Sequence, residues 1–214
     1  MSPDISGLRE EYQAGSLHER DMHKDPVSQF GTWFADALAR KIKMANAMVL
    51  ATADSNGRPT ARYVLLKEYS EEGFVFYTSS LSLKGRQLAE NPRGALVFYW
   101  RELHRQVRIE GGVEQLSGEK ADKYFQTRPR GSQISAWVAV QSNVVAGREY
   151  LKNKAKELTQ SFVNRPVPRP DPWIGYRVKL ELVEFWQGQE DRLHDRIVYQ
   201  RNDSGEWFLT RLAP

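Results

Sequence analysis

The chain has 214 residues, of which 40% are hydrophobic, and its 31 Lys and Arg against 27 Asp and Glu give a net charge of +4. This length, with 6 Trp, 9 Tyr and 9 Phe, suffices for one folded domain and excludes disorder by composition. Cysteine is absent, which excludes disulfides, a thiol nucleophile and cysteine-ligated metal. Because the mild positive charge is interspersed with acidic residues, it favours anionic ligands over a nucleic-acid coat.

Apolar periodicity and turn signals predict short elements along the whole chain. Asp25-Pro26 is typical of a helix start, because Asp caps a helix and Pro occupies its first position. Asn56-Gly57 is a strong hairpin signal. In chain order we predict an arm or short helix at 8–13, a helix at 25–41, strands at 47–53, 60–66 and 74–78, a helix at 82–90, strands at 95–100 and 106–115, helices at 118–127, from 132 and at 147–162, a stiff linker at 166–172, and strands at 176–187, 196–201 and 207–211.

Short strands joined by tight hairpins imply an antiparallel sheet, most simply closed into a barrel with helices outside it. The expected fold class is therefore mainly β with flanking helices (α+β). GxGxxG and P-loop patterns are absent from the sequence, so a Rossmann or P-loop nucleotide site is unsupported. Only His18 and His23 approach metal-ligand spacing, within a polar segment, and we expect no metal. The lack of a signal core or membrane-length run predicts a cytoplasmic protein without membrane contact.

The segment from Glu184 to Arg196 is predicted to form a strand, a turn at 188–191 and a second strand. Side chains alternate along a strand, so Arg192, His194 and Arg196 would share one face. Two arginines and a histidine suit a phosphate or an electron-rich ring. The alternative is a solvated face of an edge strand, where repulsion between cations costs little. Trp186 is a candidate cofactor wall or simply part of the core.

Two further cationic groups are candidate anion sites. Arg62 and Lys67 lie at odd separation along an apolar strand, so they face opposite sides unless the strand ends near Lys67. If the strand twists or ends near Lys67, both cations can serve one site. Otherwise they serve different anionic groups, or both merely extend into solvent. The hydroxyl-rich segment 77–84 ends in Lys84 at a predicted helix start, which suits a phosphate. Its alternative is plain helix capping by Ser82.

A third candidate group consists of Tyr124, Arg128 and Ser132. Tyr124 and Arg128 are four residues apart on a predicted helix and would share a face, and Ser132 is predicted to cap the next helix. Their guanidinium and hydroxyls suit a second phosphate, the alternative being a surface arginine stacked on a tyrosine. Together the groups suggest two stacked phosphorylated aromatic ligands, such as FMN and a phosphorylated heterocycle. Neutral donors and acceptors are available at Gln106, Gln141 and Ser142.

Several motifs are shared with a known family. The most specific are RLHDR at 192–196 after EFWQG at 184–188, and RYVLLK at 62–67 followed by RPRGSQ at 128–133. LREEY at 8–12, FYT at 76–78, RQV at 105–107, YF at 124–125, AW at 136–137, QS at 141–142 and RLAP at 211–214 extend the likeness over almost the whole chain. The sequence resembles the pyridoxine/pyridoxamine 5′-phosphate oxidase family.

This resemblance implies a homodimeric FMN-binding split β-barrel with the flavin at the subunit interface, made of an N-terminal arm or lid at 1–24 and an oxidase domain at 25–214 that includes the C-terminal dimerisation segment. It implies oxidation of pyridoxine and pyridoxamine 5′-phosphate to pyridoxal 5′-phosphate, with hydride transfer to flavin N5 and reduction of O2 to H2O2. The residues it assigns to FMN are Arg62, Tyr63, Val64, Leu65, Leu66, Lys67, Tyr77, Thr78, Lys84, Gln106, Gln141, Ser142, Trp186 and Arg196. Those it assigns to the substrate are Arg9, Tyr12, Lys67, Tyr124, Arg128, Ser132, Arg192 and His194, with Arg192 and His194 as the catalytic pair.

One position departs from the family pattern. Leu83 stands where the family usually carries Arg, so a charge-assisted contact to the FMN phosphate is missing and weaker FMN retention is expected. Two other functions remain as alternatives. A non-catalytic FMN- or pyridoxal-phosphate-binding split barrel has the same fold, and a nucleic-acid-binding β-barrel is compatible with the pI of 9.2.

Overall fold

The structure is a computed structural model that describes Gly7, Tyr12, residues 15–202 and residues 204–214. The predicted arm at 8–13 and the candidate residue Arg9 therefore lie outside the described residues, apart from Tyr12. Within the described ranges the helices are α1 (Pro26–Ala39), α2 (Leu83–Glu90), α3 (Gly118–Thr127), α4 (Arg130–Val138) and α5 (Arg148–Ser161). The strands are β1 (Ala47–Ala53), β2 (Pro59–Leu65), β3 (Glu68–Ser70), β4 (Gly73–Ser79), β5 (Arg93–Trp100), β6 (Arg105–Gln115), β7 (Trp173–Val178), β8 (Leu182–Gln187), β9 (Asp195–Arg201) and β10 (Trp207–Leu212).

The strands form one antiparallel sheet that branches at β6. The main path runs β10-β9-β8-β6-β5-β1-β2, while β7 pairs with the end of β6 and with β4, which also pairs with β3. Residues 105–110 of β6 pair with β8, and residues 113–115 pair with β7. A single long strand thus joins both parts of a half-open barrel, which confirms the predicted mainly β fold with flanking helices.

The branch point depends on a close approach between two backbones. A Cβ at Gly111 would lie 2.0 Å from the carbonyl oxygen of Lys179, so only glycine fits there. The amide of Lys179 donates to the carbonyl of Gly112 at 2.8 Å, and the amide of Glu181 donates to the carbonyl of Glu110 at 3.1 Å. These contacts let the chain leave β7 and enter β8 while staying against β6.

Two hydrophobic clusters hold the barrel and the helices together. The larger lies inside the barrel beneath α1, which Asp25 caps by accepting from the Ser28 amide, and it includes the fully buried Phe30 and Phe98. The smaller cluster consists of Phe125, Ile134, Val167 and Trp173 and anchors α3 and α4 beside β7. It fixes the position of the residues that follow α3, where one end of the candidate site lies.

The opposite face of the sheet carries polar and aromatic side chains in register. Gln106 stands opposite Trp186, and Trp186 stands opposite Arg196, so the three form a row across β6, β8 and β9. Exposed aromatic rings lie further along the same sheet: Tyr99 is 52% exposed and Tyr63 is 77% exposed. An exposed aromatic surface of this kind is typical of an interface with another chain.

The structure corrects the predictions for the chain between 176 and 196. The predicted continuous strand at 176–187 is wrong, because β7 ends at Val178 and β8 begins at Leu182. The predicted second strand through Arg192 and His194 is also wrong. Asp191 and Arg192 adopt left-handed φ angles of 52° and 63° around a 3-10 helix, and β9 begins only at Asp195. Arg192, His194 and Arg196 therefore do not share the face of one strand.

Two predictions near α3 are corrected as well. Arg128 does not belong to the helix with Tyr124, because α3 ends at Thr127 and Arg128 is extended, with φ −72° and ψ 146°. Pro129 fixes the start of α4, so Ser132 lies inside the first turn of α4 and is not its cap. The predicted bounds of β1 and α3 are confirmed, and β3 is an additional strand that the sequence pattern did not reveal.

Candidate active site

A cavity of about 930 Å³ opens between β2, β4, the start of α2 and the α3–α4 junction. The strand β2 ends at Leu65, so Arg62 and Lys67 both border this one cavity despite their odd separation. The predicted site residues that line it are Arg62, Tyr63, Val64, Leu65, Lys67, Tyr77, Thr78, Lys84, Tyr124, Arg128, Ser132, Gln141 and Ser142. Thirteen of the candidate flavin and substrate residues, all between residues 62 and 142, are thus brought together.

One end of the cavity holds Arg62 and Lys84 close together. The Arg62 guanidinium donates to the Leu50 carbonyl at 3.2 Å and to the Thr52 hydroxyl at 2.6 Å. Lys84 Nζ donates to the Thr78 hydroxyl at 3.1 Å and to Gln141 Oε1 at 3.1 Å. Among the residues that the structure describes, neither cation has a carboxylate partner, so this end retains its positive charge.

The Lys84 amine is the most perturbed cation of the site. Its side chain is almost fully buried, and burial together with the nearby Arg62 charge lowers the pKa of Lys84 to about 8. Burial likewise lowers the pKa of Arg62. An anion placed between the two groups would reverse both effects, which makes this end suited to a phosphate.

The other end of the cavity holds Arg128, Lys67, Ser132 and Tyr124. The Nη1 atom of Arg128 is buried and makes no hydrogen bond to any described residue. Burial lowers the pKa of Arg128, although Tyr124 opposes this effect. Lys67 Nζ lies 5.8 Å from the centre of the Tyr124 ring. A buried guanidinium with an unused N–H donor is costly unless a ligand supplies the acceptor.

An aromatic wall joins the two ends. The Tyr77 and Tyr124 rings are stacked with centroids 4.2 Å apart, and the Tyr77 and Trp173 rings are stacked at 5.1 Å with an interplanar angle of 10°. Burial raises the pKa of the Tyr77 hydroxyl, which therefore stays protonated at neutral pH. The cavity thus combines two cationic ends with a flat apolar wall.

The remaining candidate residues form a second group elsewhere on the chain. The Tyr12 ring packs edge-on against His104, Trp186 and His194, with centroid distances of 5.1, 5.6 and 5.3 Å. Arg192 Cζ lies 5.7 Å from the centre of the same ring. The Tyr12 ring lies so close to Gly188 that a Cβ there would come within 2.8 Å of it. Tyr12, Trp186, Arg192 and His194 are therefore one cluster, which does not line the cavity of its own chain.

Three further candidates have their contacts elsewhere. Leu66 is 5% exposed in the main core, and its amide and carbonyl are both bonded to Asn46. Arg196 donates to Glu184 Oε1 at 2.8 Å and to the Ala213 carbonyl at 2.9 Å. Burial raises the pKa of the Glu184 carboxyl, but bonds from Arg196 and Arg108 outweigh burial and lower it. Gln106 lies in the row with Trp186 and Arg196 on β6.

Two family models match most of the chain. A family described as pyridoxamine 5′-phosphate oxidase matches residues 34–162, and one described as the C-terminal dimerisation region of pyridoxine 5′-phosphate oxidase matches residues 173–214. The chain belongs to the pyridoxine/pyridoxamine 5′-phosphate oxidase family. It is accordingly an oxidoreductase, and the family indicates a flavin cofactor.

Individual relatives cover the chain from end to end. Proteins named pyridoxine/pyridoxamine 5′-phosphate oxidase are 53% identical in Rubrobacter xylanophilus, covering 99% of this chain and 97% of that protein, and 48% identical in Acaryochloris marina, covering 98% and 95%. The solved structure of PhzG from Burkholderia lata, in complex with tetrahydrophenazine-1-carboxylic acid, has a TM-score of 0.88 at 32% identity over 94% of this chain and 99% of that chain. An FMN-binding protein from Nostoc punctiforme shares the fold, with a TM-score of 0.68 at 19% identity over 86% of this chain and 96% of that chain.

Two residues at or behind the oxidase-family cavity were not singled out by the sequence patterns, Gln87 and Trp173. Gln87 Oε1 accepts from the hydroxyls of Thr52 at 2.6 Å and Thr60 at 2.7 Å, and so supports Arg62 from behind. Its position three residues after Lys84 on α2 was the available signal. Trp173 follows the proline-rich linker, a region in which no sequence motif indicates a binding site. No helix among the described residues is long and apolar enough to cross a membrane.

We predict that the Lys84 amine of the flavin-free protein titrates near pH 8 and that Arg62→Met raises its pKa. Removing the neighbouring charge favours the ammonium form, while burial keeps the pKa below the ordinary value of 10.5. NMR titration of isotope-labelled lysine side chains, with the Lys84 signal assigned by its loss in Lys84→Met, measures both values. An Arg62→Met pKa equal to that of the wild type would contradict the electrostatic coupling.

Proposed function

We propose that this protein oxidises pyridoxine 5′-phosphate and pyridoxamine 5′-phosphate to pyridoxal 5′-phosphate, with FMN as cofactor and O2 as the electron acceptor. The observation that carries the proposal is one cavity with two cationic ends joined by an aromatic wall. Two stacked phosphorylated aromatic molecules match that arrangement in charge and shape. Membership of the oxidase family supports the same substrates.

The residues at the α2 end fit the FMN phosphate. Arg62 and Lys84 provide two cations, and burial of Lys84 at 7% exposure shields an ion pair there from water. Gln141 Oε1 accepts from both Thr78 and Lys84, which orients the lysine toward the cavity. Residues 63–65 and Ser142 border the same space. These neutral groups suit the polar edge of a flavin.

The residues at the α3–α4 junction fit the substrate phosphate. Arg128 lines this end with a guanidinium that pairs with no acid among the described residues, Lys67 adds a second cation, and Ser132 and Tyr124 add hydroxyls. Charge-assisted hydrogen bonds from arginine to phosphate are about twice as strong as neutral ones. The assignment therefore explains why the chain holds a half-buried guanidinium without a protein acceptor.

We infer that the site is completed by a second copy of the chain. The cluster of Tyr12, Trp186, Arg192 and His194 does not line the cavity in its own chain, and the segment that carries most of it matches a dimerisation region. The exposed Tyr63 side chain on β2 borders the cavity and lies on the surface available to a partner. In a homodimer the cluster of one subunit would cover the cavity of the other, with Gln106 and Arg196 beside it.

The reaction divides into cofactor chemistry and positioning by the chain. FMN, with its phosphate held by Arg62 and Lys84, would supply the hydride acceptor at N5 and the route by which electrons reach O2 to give H2O2. Burial and the Arg192 charge lower the pKa of His194, and its Nδ1 accepts from the Gln189 amide at 3.1 Å. The neutral ring therefore carries its proton on Nε2 and presents an N–H donor. Arg192 supplies a fixed positive charge, so the pair can stabilise the negative charge on the C4′ oxygen of pyridoxine 5′-phosphate once its hydroxyl proton has passed to solvent, from which state the hydride leaves the C4′ carbon.

Anaerobic titration of the FMN-loaded protein with pyridoxine 5′-phosphate tests the proposal. We expect the flavin absorbance to bleach, to recover when air is admitted, and to yield one H2O2 per turnover. A shift of the flavin spectrum without bleaching would favour the non-catalytic FMN- or pyridoxal-phosphate-binding alternative. Salt-dependent retardation of nucleic acid, without any flavin binding, would favour the nucleic-acid-binding alternative.

Arg192→Met is expected to lower kcat about a hundredfold while the dissociation constant of FMN changes little, because a preorganised charge at the reacting substrate is lost. Arg201→Met is the matched control, since Arg201 also stacks on an aromatic ring, Trp207, at 4.5 Å but does not line the cavity. Stopped-flow reduction of the flavin separates this step from reoxidation. Equal flavin-reduction rates in Arg192→Met and the wild type would show that Arg192 has no catalytic role in hydride transfer.

Leu83→Arg is expected to tighten FMN binding by about tenfold, as one added charge-assisted hydrogen bond allows. Leu83 is 42% exposed and borders the cavity beside Lys84. Leu81→Arg adds the same charge at a neighbouring exposed position that does not border this cavity. Fluorescence titration of apoprotein with FMN gives the three dissociation constants. If wild type binds FMN as tightly as Leu83→Arg, the leucine causes no deficit.

A further inference from the structure

We propose that Trp173 is a positioning residue for the substrate phosphate, because its ring face holds the Arg128 guanidinium in place without neutralising it. The inference rests on the proposed function of the cavity and adds a residue to it. Arg128 Cζ lies 4.7 Å from the centre of the Trp173 ring and 5.4 Å from that of Phe125. Both distances are within the range of a cation–π contact.

The two common ways to hold a buried arginine leave different amounts of charge for a ligand. A carboxylate occupies the N–H donors and cancels the charge, whereas an aromatic face contacts the plane of the guanidinium and leaves its N–H edge unused. Arg128 is held in the second way: it pairs with no carboxylate in the described part of the chain, and its Nη1 is buried and unbonded. Its donors therefore remain available for phosphate oxygens.

A neighbouring arginine of the same region provides the contrast. Arg169 Nε donates to Asp122 Oδ1 at 2.6 Å, and Arg169 Nη1 donates to the Trp173 carbonyl at 2.9 Å. Its charge and donors are used within the protein. Two arginines that both contact Trp173 are thus fixed by different means, and only Arg128 borders the cavity.

The Trp173 ring is rigidly placed. It is 9% exposed, stacks on Tyr77 at 5.1 Å and packs edge-on against Phe125 at 5.1 Å. Its backbone is paired with Ser79 at the end of β4. A ring fixed on two sides keeps the guanidinium in one plane, so the entropy of ordering Arg128 is lost on folding and not on substrate binding.

The test compares Trp173→Phe with Trp173→Met, since Phe keeps a ring and Met fills the space without one. With pyridoxine 5′-phosphate as substrate, we expect Trp173→Met to raise KM about tenfold and Trp173→Phe less than about threefold. With unphosphorylated pyridoxine, which has no phosphate for Arg128 to bind, the rise in KM should be smaller in both variants. Phe162→Leu is the matched control, because Phe162 packs on the same small cluster away from the cavity.

A double-mutant cycle and a shape-preserving substitution separate positioning from packing. In an Arg128→Ala background, Trp173→Met should raise KM no further, because the cation it orients is gone. Site-specific fluorination of the Trp173 ring withdraws electrons from its face without changing its outline, so KM for the phosphate ester should rise with each added fluorine. This second measurement remains decisive if Trp173→Met does not fold.

Each outcome assigns success or failure to one proposal. If wild type oxidises the phosphate ester but the fluorinated series and Trp173→Met leave KM unchanged, the positioning role is wrong and the proposed function stands. Equal rises in KM for the ester and for free pyridoxine, or additive effects in the Arg128→Ala background, would likewise reduce Trp173 to a packing residue. If wild type neither oxidises the ester nor binds it more tightly than pyridoxine, the proposed function itself fails.

Discussion

The site depends on cations that are held without carboxylates. Several arginines elsewhere in the described chain pair with acids, as in Arg105 with Asp36 at 2.7 Å or Arg211 with Glu19 at 2.8 Å. Around the cavity, Arg62 and Lys84 are held by hydroxyls, an amide and a carbonyl, and Arg128 by aromatic faces, with no acid among the described residues. This arrangement costs folding free energy, because desolvated like charges are left uncompensated. The same uncompensated charge gives a phosphate a large gain on binding, so the instability of the empty cavity and its affinity for anions have one cause.

A second constraint is that one chain contains only part of the arrangement. Gln106, Trp186 and Arg196 are in register across three strands, several strands away from β2, where Arg62 lies. Neighbouring strands are spaced by about 4.8 Å, so these side chains cannot reach the cavity of their own chain across the sheet face. Arg196 is held by the buried Glu184, which Arg108 also binds at 2.5 Å. The row of Gln106, Trp186 and Arg196 is therefore held in place within one chain, as expected for a surface that is proposed to complete a site in a second copy.

How far the sequence predicted the molecule follows from the range of the interactions involved. Local signals were sufficient for the elements: Asp25-Pro26 begins α1, and the apolar run 47–53 forms β1. They failed in the turn before β9. Asp191 and Arg192 adopt left-handed conformations there, although neither is a glycine or an asparagine, the residues that usually indicate such a conformation. The residues around the cavity could be named from motifs, but the support of Arg62 by Gln87 and of Arg128 by Trp173 depends on contacts between distant segments. Spacing along the chain carries no information about such contacts.

One strand sets the distance between the two ends of the cavity. Tyr77 and Thr78 are adjacent on β4 and point to opposite sides of it. Thr78 bonds to Gln141 and Lys84 at the α2 end of the cavity, while Tyr77 stacks on Tyr124 at the α3–α4 end. The register of β4 is fixed by β7, where Gly175 stands opposite Tyr77 and any Cβ would come within 2.8 Å of the tyrosine ring. A slip of one residue would turn both side chains to the wrong ends at once. The pairing of β4 with β7 thus keeps the two ends of the cavity at one fixed separation, as the proposed transfer of a hydride between two stacked rings requires.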